Sequence, residues 1–164
     1  MDIIVCVDKS NGIGRDGGLL FRIPEDMAYF RRMTLSNTVI MGRKTLESLP
    51  GGRPLENRRN IVFTRKKDSV PMGVCAVSSI DELKRAIGGE WAFVIGGESI
   101  YGMLLDHCER AYVTEVEAWG CADCFFPDIQ NIPAWSLEER GEQREHGGLK
   151  YRFNVYKNSS VKAL

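Results

Sequence analysis

Neither sign of charge is in surplus in this chain of 164 residues, because 22 Lys and Arg stand against 22 Asp and Glu. A protein whose main task is to hold nucleic acid or an anionic membrane needs a basic surplus to neutralise phosphates, so neither is expected as a principal partner. A local basic cluster can still hold a small anion. Long apolar runs are missing too: no stretch approaches the roughly 20 residues of a spanning helix. The leading run Ile3–Val7 lacks a basic leader and is shorter than a secretory core, which makes the cytoplasm the expected compartment. Cysteine is sparse and scattered. Cys6, Cys75, Cys108, Cys121 and Cys124 are an odd set in a chain large enough to fold without staples, so reduced thiols are expected. Cys121-Ala122-Asp123-Cys124 has His107 and Cys108 at a finger-like distance upstream, but not the second closely spaced ligand pair usual in structural zinc sites, so no metal is expected. Repeats, linkers and low-complexity tracts are also missing.

What is present is 43% hydrophobic and 27% charged residues, enough to fill the core of one domain and keep its surface wet. Short β-rich runs alternate with amphipathic helical stretches, the rhythm of an α/β sheet. Strands are expected at 2–8, 37–41, 60–64, 74–78, 91–95 and 110–116. Pro24-Glu25-Asp26 opens a helix with proline and two acids at the positive end of its dipole, carrying Met27, Phe30 and Met33 inward and Arg31 and Arg32 outward. Short helices are expected at 43–49 and 99–105. Ser79 and Glu82 stand at capping-box spacing ahead of a further helix that Gly88-Gly89 ends. After Pro133, two long strands join around Gly147-Gly148, with Leu149, Tyr151, Phe153 and Val155 on one face. Residues 159–164 read as a loose tail.

Four segments carry the chemistry. Gly12-Ile13-Gly14-Arg15-Asp16-Gly17 fits the dinucleotide fingerprint by letter, but the next helix starts well after the glycines, so it reads as a mobile loop. Phe93-Val94-Ile95-Gly96-Gly97-Glu98-Ser99 takes a buried strand straight into a helix, where backbone amides suit a phosphate; the bland alternative is a tight connection. Met41-Gly42-Arg43-Lys44-Thr45 and Phe63-Thr64-Arg65-Lys66-Lys67 end two other strands in hydroxyls and cations. Either cluster alone would be ordinary solvated loop charge. Together with the diglycine turn they favour an adenine dinucleotide phosphate. Asp26 stands one helical turn before Phe30, so a carboxylate and an aromatic ring share a face that could meet an amidine-like heterocycle, or simply water. Glu25 reads as a solvated helix-dipole acid.

Ile23-Pro24-Glu25-Asp26, Val39-Ile40-Met41-Gly42-Arg43-Lys44-Thr45, Phe63-Thr64-Arg65, Val94-Ile95-Gly96-Gly97 and Phe126-Pro127 jointly resemble the dihydrofolate reductase family, in order and spacing, from about Ile3 to Tyr156. The resemblance implies a domain over residues 1–158, with a mixed, mostly parallel central sheet flanked by helices and a C-terminal antiparallel hairpin. It implies NADPH as cofactor, 7,8-dihydrofolate as substrate and antifolate drugs as ligands. Monomer is the default state. Asp26 would bind the 2-amino group and N3 of the pteridine, supported by the Thr114 hydroxyl. Ile4, Cys6, Phe30, Leu49 and Leu55, with Arg31, Ile95 and Tyr101, would line the substrate pocket, and Arg58 would clamp the α-carboxylate of the glutamate tail. Arg43, Lys44, Thr45, Thr64 and Arg65 would hold the adenosine phosphates, with Gly42 beside them. Gly96, Gly97, Glu98, Ser99, Ile100 and Tyr101 would cradle the pyrophosphate and ribose side. Cys6, Ile13 and Ile95, with the loop Gly14 to Leu19 and its Gly18, would close on the nicotinamide.

Two departures accompany the resemblance. Most relatives carry Trp where this chain has Phe21, and Phe cannot donate the hydrogen bond an indole N–H gives to water beside the acid; Phe21 is therefore a candidate in the proton path together with Asp26 and Thr114. Cys6 replaces a commoner Ala and narrows the pocket floor. The alternatives are a reductase of the riboflavin-synthesis type, which would not need Arg58, and a non-catalytic nucleotide-binding regulator, which would not need Asp26.

Overall fold

The computed structural model describes residues 1–164. Its elements, in chain order, are β1 (Asp2–Val7), β2 (Gly12–Arg15), β3 (Gly18–Leu19), α1 (Pro24–Thr34), β4 (Thr38–Gly42), α2 (Arg43–Ser48), β5 (Arg59–Phe63), β6 (Val74–Val77), α3 (Ile80–Ile87), β7 (Ala92–Gly96), α4 (Glu98–Leu104), β8 (Arg110–Val116), β9 (Cys124–Phe125), β10 (Trp135–Glu139), β11 (Arg144–His146) and β12 (Leu149–Asn158). The central sheet runs β10-β12-β8-β1-β7-β4-β5-β6, with β11 on the free half of β12. Six strands, β8 through β6 in that order, are mutually parallel, whereas β12 lies antiparallel to β8. This is the α/β arrangement expected. Strands β1, β4, β5 and β7 are continuous apolar runs because both of their faces are covered.

The main core holds 21 buried residues, Ile3, Val5, Ile40, Ile61, Val94 and Val113 among them. At about 1.5–3 kcal/mol for each fully buried large aliphatic side chain, this layer dominates the favourable side of folding. Local chemistry sets the helix ends. The Ser79 hydroxyl accepts from Glu82 N at 3.2 Å, and Gly88 ends α3 in the left-handed region at φ 61°.

Several expectations are corrected. Residues 12–19 do not form an open loop: β2 pairs with β3 and with β9, making a separate three-stranded antiparallel sheet. The first of the two long C-terminal strands is divided, β10 pairing with one half of β12 and β11 with the other. Both faces of β12 contribute to the interior, through Tyr151 on one side and Asn154 and Tyr156 on the other. Met27 does not turn inward; it is 49% exposed, and Thr34 is the buried residue of α1. The last residues return to the body, where Lys162 N donates to Asp106 O at 2.8 Å and Leu164 packs against the main core. No helix is long and apolar enough to cross a membrane.

Candidate active site

Ligands of open α/β sheets bind at the carboxyl ends of the parallel strands. Cys6 of β1, Gly42 of β4, Gly96 of β7 and Thr114 of β8 stand on the last residues of their strands or within two of them, and Thr64 follows β5 directly. The topology therefore gathers these residues along one edge of the sheet.

Asp26 projects from the first turn of α1, a helix that starts with Pro24 and has no side-chain cap. Its Oδ1 accepts a hydrogen bond from Thr114 Oγ1 at 2.6 Å. Burial pushes the carboxyl up from its ordinary value, and the hydrogen bonds it accepts only partly offset that. Phe21 and Cys6 pack together against Ile23, Val116 and Tyr151, so the wall beside the acid is mostly apolar. Glu25 is exposed, as expected, but it is not without partners. It accepts from the Tyr151 hydroxyl at 2.5 Å and is ion-paired with Arg144, which braces the start of α1 against β11 and β12.

At the other end of α1, Arg58 Nε donates to Thr34 Oγ1 at 3.2 Å, and its two terminal nitrogens donate to Glu56 O at 2.8 Å and Arg31 O at 3.4 Å. All three acceptors are neutral, leaving the guanidinium without a carboxylate. Arg31 itself is exposed. Leu49, Leu55 and Ile95 are half-buried against Val39, Met41, Leu46 and Val62 and form an apolar floor between the two ends. Phe30 is half-buried on α1; Ile4 is buried on β1, where its carbonyl accepts from Tyr101 OH at 2.9 Å.

At the carboxyl end of β7, the Gly96–Gly97 peptide bond is cis and Gly96 has φ 123°. A Cβ built on Gly96 would stand 3.4 Å from the Tyr101 ring, and one on Gly97 would stand 3.4 Å from Thr45 Oγ1. A side chain at either position would press on these neighbours, so glycine keeps the turn compact, and a turn of this kind at a helix start fits a pyrophosphate. The donor set nearby fits phosphate as well. Lys44 and Arg65 are exposed with no carboxylate partner, and Thr64 Oγ1 accepts from Lys66 N at 3.0 Å while keeping its own hydrogen. Two cations of the clusters are already engaged: Arg43 pairs with Glu47 one turn on, and Lys67 pairs with Glu82 at 2.7 Å. Glu98 and Ser99 are exposed and Ile100 is buried, its side chain against Gly42.

The arm formed by β2 and β3 carries Ile13, Gly14, Gly18 and Leu19, the last 71% exposed. A Cβ on Gly14 would meet Gly18 O at 2.9 Å, which is why the hairpin can close so tightly. Two acids hold the arm. Asp8 accepts from Ser10 N and Gly12 N through Oδ1 and from Gly120 N through Oδ2, and Asp123 Oδ2 accepts from Asp16 N at 2.9 Å. Sequence reasoning missed Asp8, Asp123, Thr34 and the Glu25 brace. A turn signal, Asp8 followed by Lys-Ser-Asn-Gly, was available for the first; the other three depend on partners distant in sequence. His107, Cys108, Cys121 and Cys124 do not assemble, and no group of three or more His, Cys, Asp or Glu side chains is placed to hold a metal ion.

A parallel α/β sheet with a half-buried acid held by a threonine near its carboxyl edge, a glycine turn beside unpaired cations and a guanidinium without a carboxylate partner fits a nucleotide-dependent enzyme acting on a small anionic substrate. A family model described as dihydrofolate reductase matches residues 1–158. The chain is 39% identical to the dihydrofolate reductase of Bacillus subtilis over 165 residues, covering 98% of this chain and 96% of the other. It is 37% identical to that of Heliothis virescens, with 96% of each chain covered, and 40% identical to that of Neisseria meningitidis, with 94% and 95% covered. The chain belongs to the dihydrofolate reductase family.

Proposed function

We infer that this chain reduces 7,8-dihydrofolate to 5,6,7,8-tetrahydrofolate, using NADPH, with Asp26 as the acid of the pterin subsite. The observation that carries the assignment is the pair formed by Asp26, half-buried and supported by Thr114, and Arg58, charged and without a carboxylate partner, at opposite ends of α1. From Asp26 to Thr34, which holds Arg58, the helix rises about 12 Å, a span that one elongated molecule can bridge. The carboxylate would pair with the 2-amino group and N3 of the pterin, and the guanidinium with the α-carboxylate of the glutamate tail, a bidentate task suited to Arg. Phe30, Leu49 and Leu55 would exclude water from the span between them.

NADPH, when bound, supplies the hydride that reaches C6; the accompanying proton reaches N5. Lys44, Thr45, Thr64 and Arg65 would hold its adenosine phosphates and Gly96-Gly97 its pyrophosphate. The protein's own contribution is to stack two rings at contact distance and to keep a proton available beside them. Because its affinity for protons is raised, Asp26 retains its hydrogen further toward neutral pH than an exposed carboxyl does. Phe21, having no polar hydrogen, leaves Thr114 and water to organise that proton.

The five free cysteines support a reducing compartment such as the cytoplasm, monomer is the default state, and the half-buried acid supports competition by cationic diaminopyrimidine antifolates. Oxidation of NADPH followed by absorbance with dihydrofolate present tests the assignment. Asp26→Asn is expected to lower kcat/KM by about a hundredfold or more while leaving NADPH affinity nearly intact; equal turnover overturns it.

A further inference from the structure

Cys6 carries chemistry that the reading above leaves unused. It stands on β1 in direct register with Thr114 of β8, and partners in neighbouring strands present their side chains to the same face of the sheet. Since the Thr114 hydroxyl reaches Asp26 at 2.6 Å, the register directs the thiol beside it toward the same carboxylate. The neighbouring groups offer the acid little else. The Phe21 ring, packed with Cys6 in one cluster, has no polar hydrogen. The Tyr151 hydroxyl is taken by Glu25 and the Tyr101 hydroxyl by the Ile4 carbonyl. Asp8, further along β1, has its carboxylate occupied by three backbone N–H groups. An ionised carboxylate has about four acceptor sites, and Thr114 fills one.

We propose that Cys6 is a positioning residue for the reaction: its S–H donates to the Asp26 carboxylate beside Thr114 and so fixes the acid's orientation toward the pterin. The thiol keeps its hydrogen throughout the working range, because burial and the adjoining carboxylate both push its ionisation well up. A donor to the ionised form favours that form, so Cys6 opposes the effect of burial on Asp26 and sets where the acid titrates. The other titratable groups facing this point are Tyr29, from α1, and Tyr151, both pushed up to about 12, and Tyr101, pushed further; all three remain neutral while Asp26 titrates. The proposal rests on Asp26 serving the pterin subsite, and the experiment separates the two.

The pH dependence of single-turnover hydride transfer is measured for the wild type, Cys6→Ala and Cys6→Ser. Loss of the donor in C6A is expected to raise the apparent pKa by about half a pH unit, the effect of one weak hydrogen bond. C6S, which restores a donor, is expected to return it to the wild-type value or below. Infrared difference spectra between wild type and C6A isolate the Cys6 S–H stretch, which is expected at a hydrogen-bonded frequency in the wild type and shifted toward the free value in D26N. Coincident pH profiles for wild type and C6A, a C6S profile that tracks C6A, or an S–H stretch that ignores D26N each overturn the proposal. Full turnover by D26N would instead overturn the role of Asp26, whatever the infrared band does.

Discussion

Thr34 Oγ1 accepts from Arg58 Nε at 3.2 Å while donating to Phe30 O at 2.8 Å, so one fully buried hydroxyl at the end of α1 ties the guanidinium to the helix that carries Asp26 at its start. The helix acts as a ruler between the two charged groups. Thr34→Val keeps the shape and removes the acceptor. The KM for dihydrofolate is expected to rise about fivefold, equivalent to the ~1 kcal/mol of one hydrogen bond, with kcat little changed. A dihydropterin lacking the glutamate tail should be processed equally by both proteins. Steady-state kinetics with the two substrates check this, and a matching KM increase for the tailless compound would count against it.

The brace at the other end of α1 predicts a stability effect with a definite pH sign. Tyr151, 1% exposed, donates to Glu25 at 2.5 Å, and its hydroxyl is pushed up to about 12, chiefly by burial, from an ordinary 10.0. The folded state thus holds this proton more tightly than the unfolded state does. The contribution is complete below about pH 10 and is lost as pH rises toward 12. Tyr151→Phe should cost about 1–2 kcal/mol at neutral pH, and the gap to wild type should close across that alkaline window. Urea denaturation at a series of pH values measures the gap; one that stayed constant would refute the brace.

These two contacts also mark how far the residues could be read without coordinates. Ser79, Glu82 and Gly88 bound α3 as expected because caps depend on neighbours within a turn. The apolar runs of β1, β4 and β7 were legible because burial on both faces leaves a continuous pattern, and β8 was legible by its alternation. The arm was not, since β3 is two residues long and β2 is completed by Cys124, whose pairing with Gly14 spans over 100 residues. Glu25 is exposed as expected, but its contacts were not legible because its partners, Arg144 and Tyr151, lie 119 and 126 positions away. Within the site, residue types at strand ends indicated anion chemistry, but their pairing did not follow from order: Arg43 and Lys67 are occupied by acids, whereas Lys44 and Arg65 are not.

Glu47 competes for Arg43 where the cofactor phosphates would sit. The pair spans one turn of α2 with both side chains about half exposed, so it is worth only a fraction of a kcal/mol. Glu47→Gln releases the guanidinium. NADPH affinity is expected to increase about two- to threefold, with a steeper salt dependence and an unaltered kcat. Titration by quenching of protein fluorescence reads this directly, and an unchanged or weaker Kd would show that Arg43 does not meet the phosphate.

The acid proposed for the pterin subsite should also weaken the protein that carries it. Asp26 is raised in the folded state from its ordinary 3.8, with burial as the largest cause. Between that value and the folded one, the unfolded chain releases a proton that the native state keeps, so stability falls as pH rises through this window and levels off above it. Asn is nearly isosteric, can still accept from Thr114 and carries no charge to desolvate. Asp26→Asn is therefore expected to have a higher Tm than wild type at about pH 8, with the difference shrinking steadily on acidification toward 3.8. Saturating folate should narrow the gap at neutral pH, because the ligand binds the native wild type and supplies the charge partner the carboxylate lacks. Scanning calorimetry with and without folate measures all three trends. A variant less stable than wild type at every pH would mean that Thr114 and its neighbours already compensate the buried charge in the unliganded protein.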